Sequence, residues 1–327
     1  PPSSSAVIPA MVLHWLATLG AGLAVVFYNA MLPTLADRKR IGRWSGWGWA
    51  LGYAGGLACL ILSLFAFVRE DAWFTLNRDQ ALHVRATFLL TAVWHGLFSL
   101  PLFLFTPDEP SKGKPIGEAV RDGLRQLGDT LRHLRRYRTI LRFMIARMIY
   151  IDGLTTVFAF GGVYAAGTFG MNENRVLMFG IALNVTAGLG AFVFSWVDDW
   201  IGSRRTMLLS LLGIILPGVG MLLTDSTRLF WILGMLLGIF VGPVQAASRS
   251  YLSRIAPSHM RNEMFGLYAL SSKATAFIGP LAVGGLIFLT GSQRIGMSVI
   301  FLMLSIGAAL VWSLPRADDT AEVEENG

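Results

Sequence analysis

Apolar and polar positions in this chain come in long blocks rather than in alternation. Apolar runs at about 8–32, 47–68, 85–105, 140–167, 174–197, 204–224, 227–248, 263–289 and 292–314 are separated by polar connections. Each is near the roughly 20 residues that an α-helix needs to cross the hydrocarbon core of a bilayer. A segment in lipid has to satisfy its backbone groups internally, so runs of this length predict helices and not open strands. The pattern therefore predicts an all-α polytopic membrane helix bundle of nine transmembrane helices, with the lipid bilayer as its surrounding partner.

Composition strengthens that reading. The 327 residues are 54% hydrophobic and 14% charged, whereas soluble domains run near a quarter charged. The net charge of +7 would suit a nucleic-acid partner, but its distribution argues against one and marks orientation instead. Loops 33–46, 106–139 and 249–262 hold 4, 8 and 3 Lys or Arg, and Arg204-Arg205 follow 198–203 directly, while the intervening connections are poor in them. By the positive-inside rule these loops and the C-terminus are cytoplasmic, and the N-terminus faces outside.

The longest polar segment, 106–139, divides three spans from six and sets the expected domains. These are a partial N-terminal half-bundle (1–105), a cytoplasmic linker (106–139), a six-helix C-terminal half-bundle (140–315) and an acidic disordered tail (316–327). After Pro107, Pro110 and Pro115, the residues Ile116, Val120, Leu124, Leu127, Leu131 and Leu134 recur at helical spacing. Arg121, Arg125, Arg132, Arg135 and Arg136 occupy other faces, which predicts an amphipathic helix on the membrane surface. Gly48, Gly52 and Gly56 share one face of span two, an arrangement that lets another helix approach closely.

The chemistry-bearing residues are sparse. Cys59 is the only cysteine, the five histidines never form an i, i+4 pair, and no metal-ligand spacing or phosphate loop occurs. A polytopic membrane enzyme would need such a constellation, so the expectation is no enzyme, no metal and no resident cofactor. The chain begins Pro1-Pro2-Ser3-Ser4-Ser5 without a basic n-region, so it does not open on a signal peptide. It reads as beginning partway through a longer protein or as a processed one.

Two charges lie inside apolar runs. Lys273 is ten residues beyond Glu263, and Asp152 is ten beyond Arg142, each about 15 Å deep at 1.5 Å per residue. An unpaired charge at that depth costs at least about 3 kcal/mol, so the two are expected to pair. The pair either only fixes packing or borders a substrate cavity and is loosened by a proton or a substrate carboxylate. A third outcome leaves Lys273 facing water alone. Tyr28, Asn29, Tyr150, Asn184, Gln245 and Ser248 are further polar candidates, each a helix–helix hydrogen bond or a substrate contact. Pro243, after Gly242, is expected to bend span seven.

The stretch Val197-Asp198-Asp199-Trp200-Ile201-Gly202-Ser203-Arg204-Arg205 resembles the major facilitator loop motif D-[RK]-x-G-[RK]-[RK]. Trp200 and Ser203 replace two basic positions, and Ser195 stands where an upstream glycine is usual. The resemblance implies a gating loop in which Asp199 caps a helix start, Gly202 makes the turn, and Arg204 and Arg205 bind the acid across the interface. Longer strings, "VFYNAMLPTLA" (26–36), "SGWGWALGYAGGL" (45–57), "IYIDGLTTVFAFGGVYA" (149–165), "GPVQAASRSYLSRIAP" (242–257) and "EMFGLYALSSKATAFIGP" (263–280), resemble the autophagy-related vacuolar amino-acid effluxer family and its bacterial relatives. The spans align with helices four to twelve of a twelve-helix plan, which makes spans four and eight neighbours.

The resemblance implies a monomeric permease of the bacterial inner membrane that moves a small solute, such as an amino acid outward, by alternating access. Such a carrier is facilitative or proton-coupled. Asp152, Lys273, Asn29, Tyr28, Gln245 and Tyr150 are its candidate substrate or coupling residues. A truncated scaffold that does not transport is the alternative.

Overall fold

The computed structural model describes residues 4–78, 81–106, 113, 115–133 and 137–317. The acidic tail from 318, Pro107, Pro110, Leu134, Arg135 and Arg136 lie outside the described residues. Eleven α-helices follow one another among the described residues: α1 (Ser4–Leu35), α2 (Ile41–Ser63), α3 (Leu82–Phe105), α4 (Ile116–His133), α5 (Arg138–Phe169), α6 (Glu173–Ile201), α7 (Ser203–Leu223), α8 (Thr227–Ile255), α9 (Arg261–Ala274), α10 (Ile278–Thr290) and α11 (Gln293–Trp312). Nine segments among the described residues are long and apolar enough to cross a membrane, α9 and α10 together making the eighth. Helix α4 covers the predicted amphipathic stretch as far as His133.

The eighth span is not one helix. It is interrupted at 275–277, between Ala274 and Ile278. The sequence "TAFIGP" supplies the cause, because the ring of Pro280 clashes with a helical carbonyl at Ala276 and has no N–H to offer. Helix α8, by contrast, runs unbroken through Pro243.

The chain divides into two compact units, Pro1–Leu19 with Ala54–Gln126, and Gly20–Tyr53 with Leu127–Gly327. In the first unit α3 buries no residue, and its Phe88, Phe103 and Phe105 are wide open. Exposed apolar side chains in a spanning helix face lipid rather than water. The Arg69 guanidinium donates to both oxygens of Asp71 at 2.7 Å after α2, and this pairing holds the exposed Asp71 carboxyl below the usual range.

The second unit carries the core. Phe143, Tyr150, Leu211, Phe230, Tyr251, Phe265 and Ile300 are fully buried. The most extensive helix pairings are α7 with α8, α6 with α8, and α5 with α11. Small residues set these approaches. Pro243 leaves the Ile239 carbonyl without an intrahelical donor, and that carbonyl presses on Gly190 of α6, where a Cβ would collide with it. Gly242 meets the Ala187 carbonyl in the same way. The predicted glycine face of α2 is realised only at Gly48, since Gly52 and Gly56 have nothing within 4 Å of a built Cβ.

Candidate functional site

Polar side chains of α8 gather where the chain turns between α1 and α2 and between α6 and α7. Residues four apart on a helix share a face, so Gln245 and Arg249 rise one above the other. Arg249 is 3% exposed. Its Nε donates to Ser45 Oγ at 2.9 Å, its Nη1 to Asn29 Oδ1 at 3.1 Å, and its Nη2 to the Ser45 carbonyl at 2.6 Å. The Tyr28 ring lies 5.2 Å from the guanidinium carbon, within cation–π range. Ser45 in turn donates to the Ala246 carbonyl at 2.7 Å. One turn back along α8, Gln245 donates to the Tyr53 hydroxyl at 3.1 Å. Arg249 thus ties α1 and α2 to α8 through neutral acceptors, with no carboxylate within salt-bridge distance among the described residues.

One turn further on, charges balance. Arg254 Nη1 lies 3.0 Å from Asp198 Oδ1, and Nη2 lies 3.3 Å from Asp199 Oδ1, with all three side chains below a tenth exposed. Ser250 and Ser203 complete the shell, their hydroxyls 3.0 Å apart, with Ser250 donating to Asp198 and Arg254 donating to Ser203. Asp199 also accepts the Arg43 backbone N–H at 3.2 Å and meets Arg43 Nε at 3.5 Å. Helix starts leave N–H groups unsatisfied and carry partial positive charge, so Asp199 stabilises the first turn of α2 from another segment. Gly42 makes room for this, because a Cβ there would sit 2.7 Å from both acids.

The basic residues of the loop motif do not join this cluster. Gly202 makes the turn with φ +87°, a region that disfavours side chains. Arg204 donates to the Val311 carbonyl at 3.4 Å and to the Trp312 carbonyl, ending α11. Arg205 is exposed. The cation opposite the acids comes from α8, fifty residues on, because the Ser203 side chain is too short and uncharged to fill the role.

Tyr150 and Ser248 meet across α5 and α8, their hydroxyls 2.6 Å apart and buried. Asn184 donates to its own helix at Gly180. The expected Asp152–Lys273 pair is not formed. Asp152 is 1% exposed and its Oδ2 accepts the Gly279 N–H at 2.9 Å, while Lys273 is exposed with no carboxylate within salt-bridge distance among the described residues. Equal depth along two helices does not fix which way two side chains point, and the break after Ala274 turns the chain between Lys273 and Gly279. The buried cation of this region is Arg147 instead, which donates to the Tyr268 carbonyl at 2.8 Å and lies 3.4 Å over the Tyr268 ring.

Arg43, Ser45, Tyr53, Arg249, Ser250 and Arg254 are the cluster members that the sequence left unremarked. For the two α8 arginines the signal was present in the spacing Gln245, Arg249, Arg254 on a helix that runs on to Ile255. It was masked by ending span seven at 248, where hydropathy falls. Among the described residues no group of His, Cys, Asp and Glu is placed to hold a metal. What the arrangement can do is form and break a set of hydrogen bonds and ion pairs.

Comparison with known proteins agrees with this architecture. The family described as vacuole effluxer Atg22 like matches residues 36–324. An uncharacterized MFS-type transporter of Bacillus subtilis, YxiO, is 26% identical over 94% of this chain and 73% of its own length. Autophagy-related protein 22-2 of Neosartorya fischeri is 26% identical over 90% of this chain, and autophagy-related protein 22 of Saccharomyces cerevisiae is 22% identical over 86%. The chain spans only 52% and 58% of those two fungal relatives. The fold resembles the E. coli fucose:proton symporter FucP, with a TM-score of 0.68 at 12% identity, covering 89% of this chain and 73% of that one. A helical bundle of nine candidate spans, a major facilitator fold and a family match over nearly the whole chain place this integral membrane protein among the major facilitator transporters, in the vacuole effluxer Atg22-like family.

Proposed function

We propose that the protein is a secondary transporter, active or facilitative, that exports a small solute such as an amino acid by alternating access. The observation that carries this reading is the polar clasp. Arg249 and the Asp198–Asp199–Arg254 cluster join the ends of α1 and α2 to α6 and α8 through bonds that can be exchanged for water. A clasp of ion pairs and amide contacts is suited to reversible opening, whereas an apolar seam would be exposed to water at each cycle.

In this reading spans one to three belong to one half and spans four to nine to the other, joined by the amphipathic linker. The clasp is the closed cytoplasmic gate, and the C-terminus is cytoplasmic as the basic loops predict. The relatives named as effluxers or transporters favour this function over a scaffold or an enzyme, and the bacterial relative favours the plasma membrane. Tyr28, Asn29, Gln245 and Tyr53 are the side chains that an approaching solute meets once the clasp opens.

The test is efflux from proteoliposomes holding the complete protein and a radiolabelled mixture of the common amino acids. Saturable release that requires folded protein is expected. Folded protein that releases none of them overturns the amino-acid assignment.

A further inference from the structure

The interruption of span eight places a helix start against a buried acid. Helix α10 opens at Ile278, and its first N–H groups need partners. Ile278 N–H goes to the Thr275 carbonyl and Gly279 N–H to Asp152 Oδ2 at 2.9 Å. Pro280 has no N–H, and Leu281 N–H returns to the Phe277 carbonyl. Asp152 is therefore the side chain that caps the half-helix. Gly279 is required for this approach, because a Cβ there would collide with Thr156 Oγ1 and lie 3.1 Å from Asp152 Oδ1.

The other oxygen has no such partner. Asp152 Oδ1 is buried and makes no hydrogen bond among the described residues. Among the described residues no cation lies within salt-bridge distance of the carboxylate. On α5 the nearest charge in sequence is Arg147, which is engaged by Tyr268 and Ser271. On α9 Lys273 is exposed, and Arg261 and Glu263 lie at the far end of that helix. Helix α10 carries no titratable residue. Arg294, the single charge on α11, pairs with Asp225. The charges in the last part of α6 and in the last turns of α8 belong to the clasp, and Glu173, Arg175 and Arg228 stand at the opposite ends of those helices.

Two effects then oppose each other. The backbone N–H and the positive end of α10 favour the ionised carboxylate. Burial without a counter-charge favours the neutral acid. A single orphan oxygen is too few ligands for a metal ion, which takes several oxygens, and Oδ1, being fully buried, presents no surface to an organic group. A proton fits both the stoichiometry and the size.

We propose that Asp152 and the start of α10 form the proton-binding site of this carrier. The proton adds to Oδ1 from water and returns to water from the same atom, while Oδ2 keeps the Gly279 N–H. Protonation turns a charge-assisted cap into a neutral one, which is weaker, and so loosens the join between α5 and the second half of span eight. Unlike a packing role, this assignment requires a change of protonation. As a coupling site it rests on the transport reading above, but the protonation itself does not.

The test uses the complete protein in proteoliposomes, with isotopically labelled aspartate and infrared difference spectra between acidic and alkaline buffer. A protonated-carboxyl band that moves with the label and is lost in Asp152→Asn is expected. The same variant is expected to lose at least tenfold of the accumulation of radiolabelled amino acids driven by a pH gradient. If Asp152→Asn does not fold, Asp152→Glu takes its place, and its band is expected to persist but no longer to move with labelled aspartate. Absence of the label-sensitive band in the unmodified protein, or its persistence in either folded variant, overturns the site whatever the transport result. A band present in protein that moves no amino acid keeps the site and rejects the transport reading.

Discussion

Asp199, near the end of α6, accepts the backbone N–H of Arg43, in the first turn of α2, at 3.2 Å. The residues just before α2 are Arg38-Lys39-Arg40, which offer no capping oxygen of their own, so the cap arrives from 156 positions away in sequence. The start of span two therefore depends on tertiary structure, and the clasp is part of the fold as well as a gate.

Removing either acid should loosen that end of the bundle to different extents. Asp198→Ala breaks a buried pair, a loss of about 3–5 kcal/mol. Asp199→Ala loses the cap of α2 and only the longer, 3.3 Å contact with Arg254, which keeps its 3.0 Å pair with Asp198, a loss of about 1–2 kcal/mol. Reversible SDS-induced unfolding of the purified protein checks both the sizes and the order.

Arg249 should not be replaceable by lysine. Its three donors reach two residues on α1 and α2, and an ammonium group cannot reproduce that fork. Each hydrogen bond to a charged group lost costs roughly 1.5–3 kcal/mol. Arg249→Lys is expected to melt close to Arg249→Met, and a double-mutant cycle with Asn29→Ala should give a coupling of about 1 kcal/mol.

Glycines that look alike in the sequence should part company. Gly190→Ala drives a Cβ into the Ile239 carbonyl, and overpacking of this kind costs about 1–3 kcal/mol. Gly52→Ala meets nothing within 4 Å, and alanine is favoured in a helix over glycine by about 0.5–1 kcal/mol. Melting curves should therefore move in opposite directions.

Exchanging Asp152 and Lys273 should not restore what either substitution loses. Lys273→Met alone is expected to change stability by no more than about 0.5 kcal/mol, as for exposed positions without a partner. Asp152→Lys removes the cap of α10 and buries a cation beside it. Expression and unfolding midpoints of the two single variants and the double exchange are the measurement, and a rescued double exchange would mean that the pair forms in another state of the cycle.

The separation between legible and hidden features follows range. The spans could be read because hydropathy over about 20 residues is a local quantity, and the amphipathic stretch that became α4 could be read because its period is local too. The interruption of span eight was written in Gly279-Pro280 but was read through as continuous, since the composition on both sides stays apolar. The acid pair was visible in the loop motif, yet its cation was sought among the adjacent arginines, whereas the fold supplies Arg254.

By itself the sequence determined that this chain is a helical membrane bundle and which residues are polar inside it. Only the tertiary structure decided the partners: Asn29 with Arg249 across 220 positions, Asp199 with Arg43 across 156, and Asp152 with Gly279 across 127. Hydropathy sets depth along a helix axis. The direction in which a side chain points, and the distance it has to reach, are set by where glycines let helices touch and where a proline breaks one.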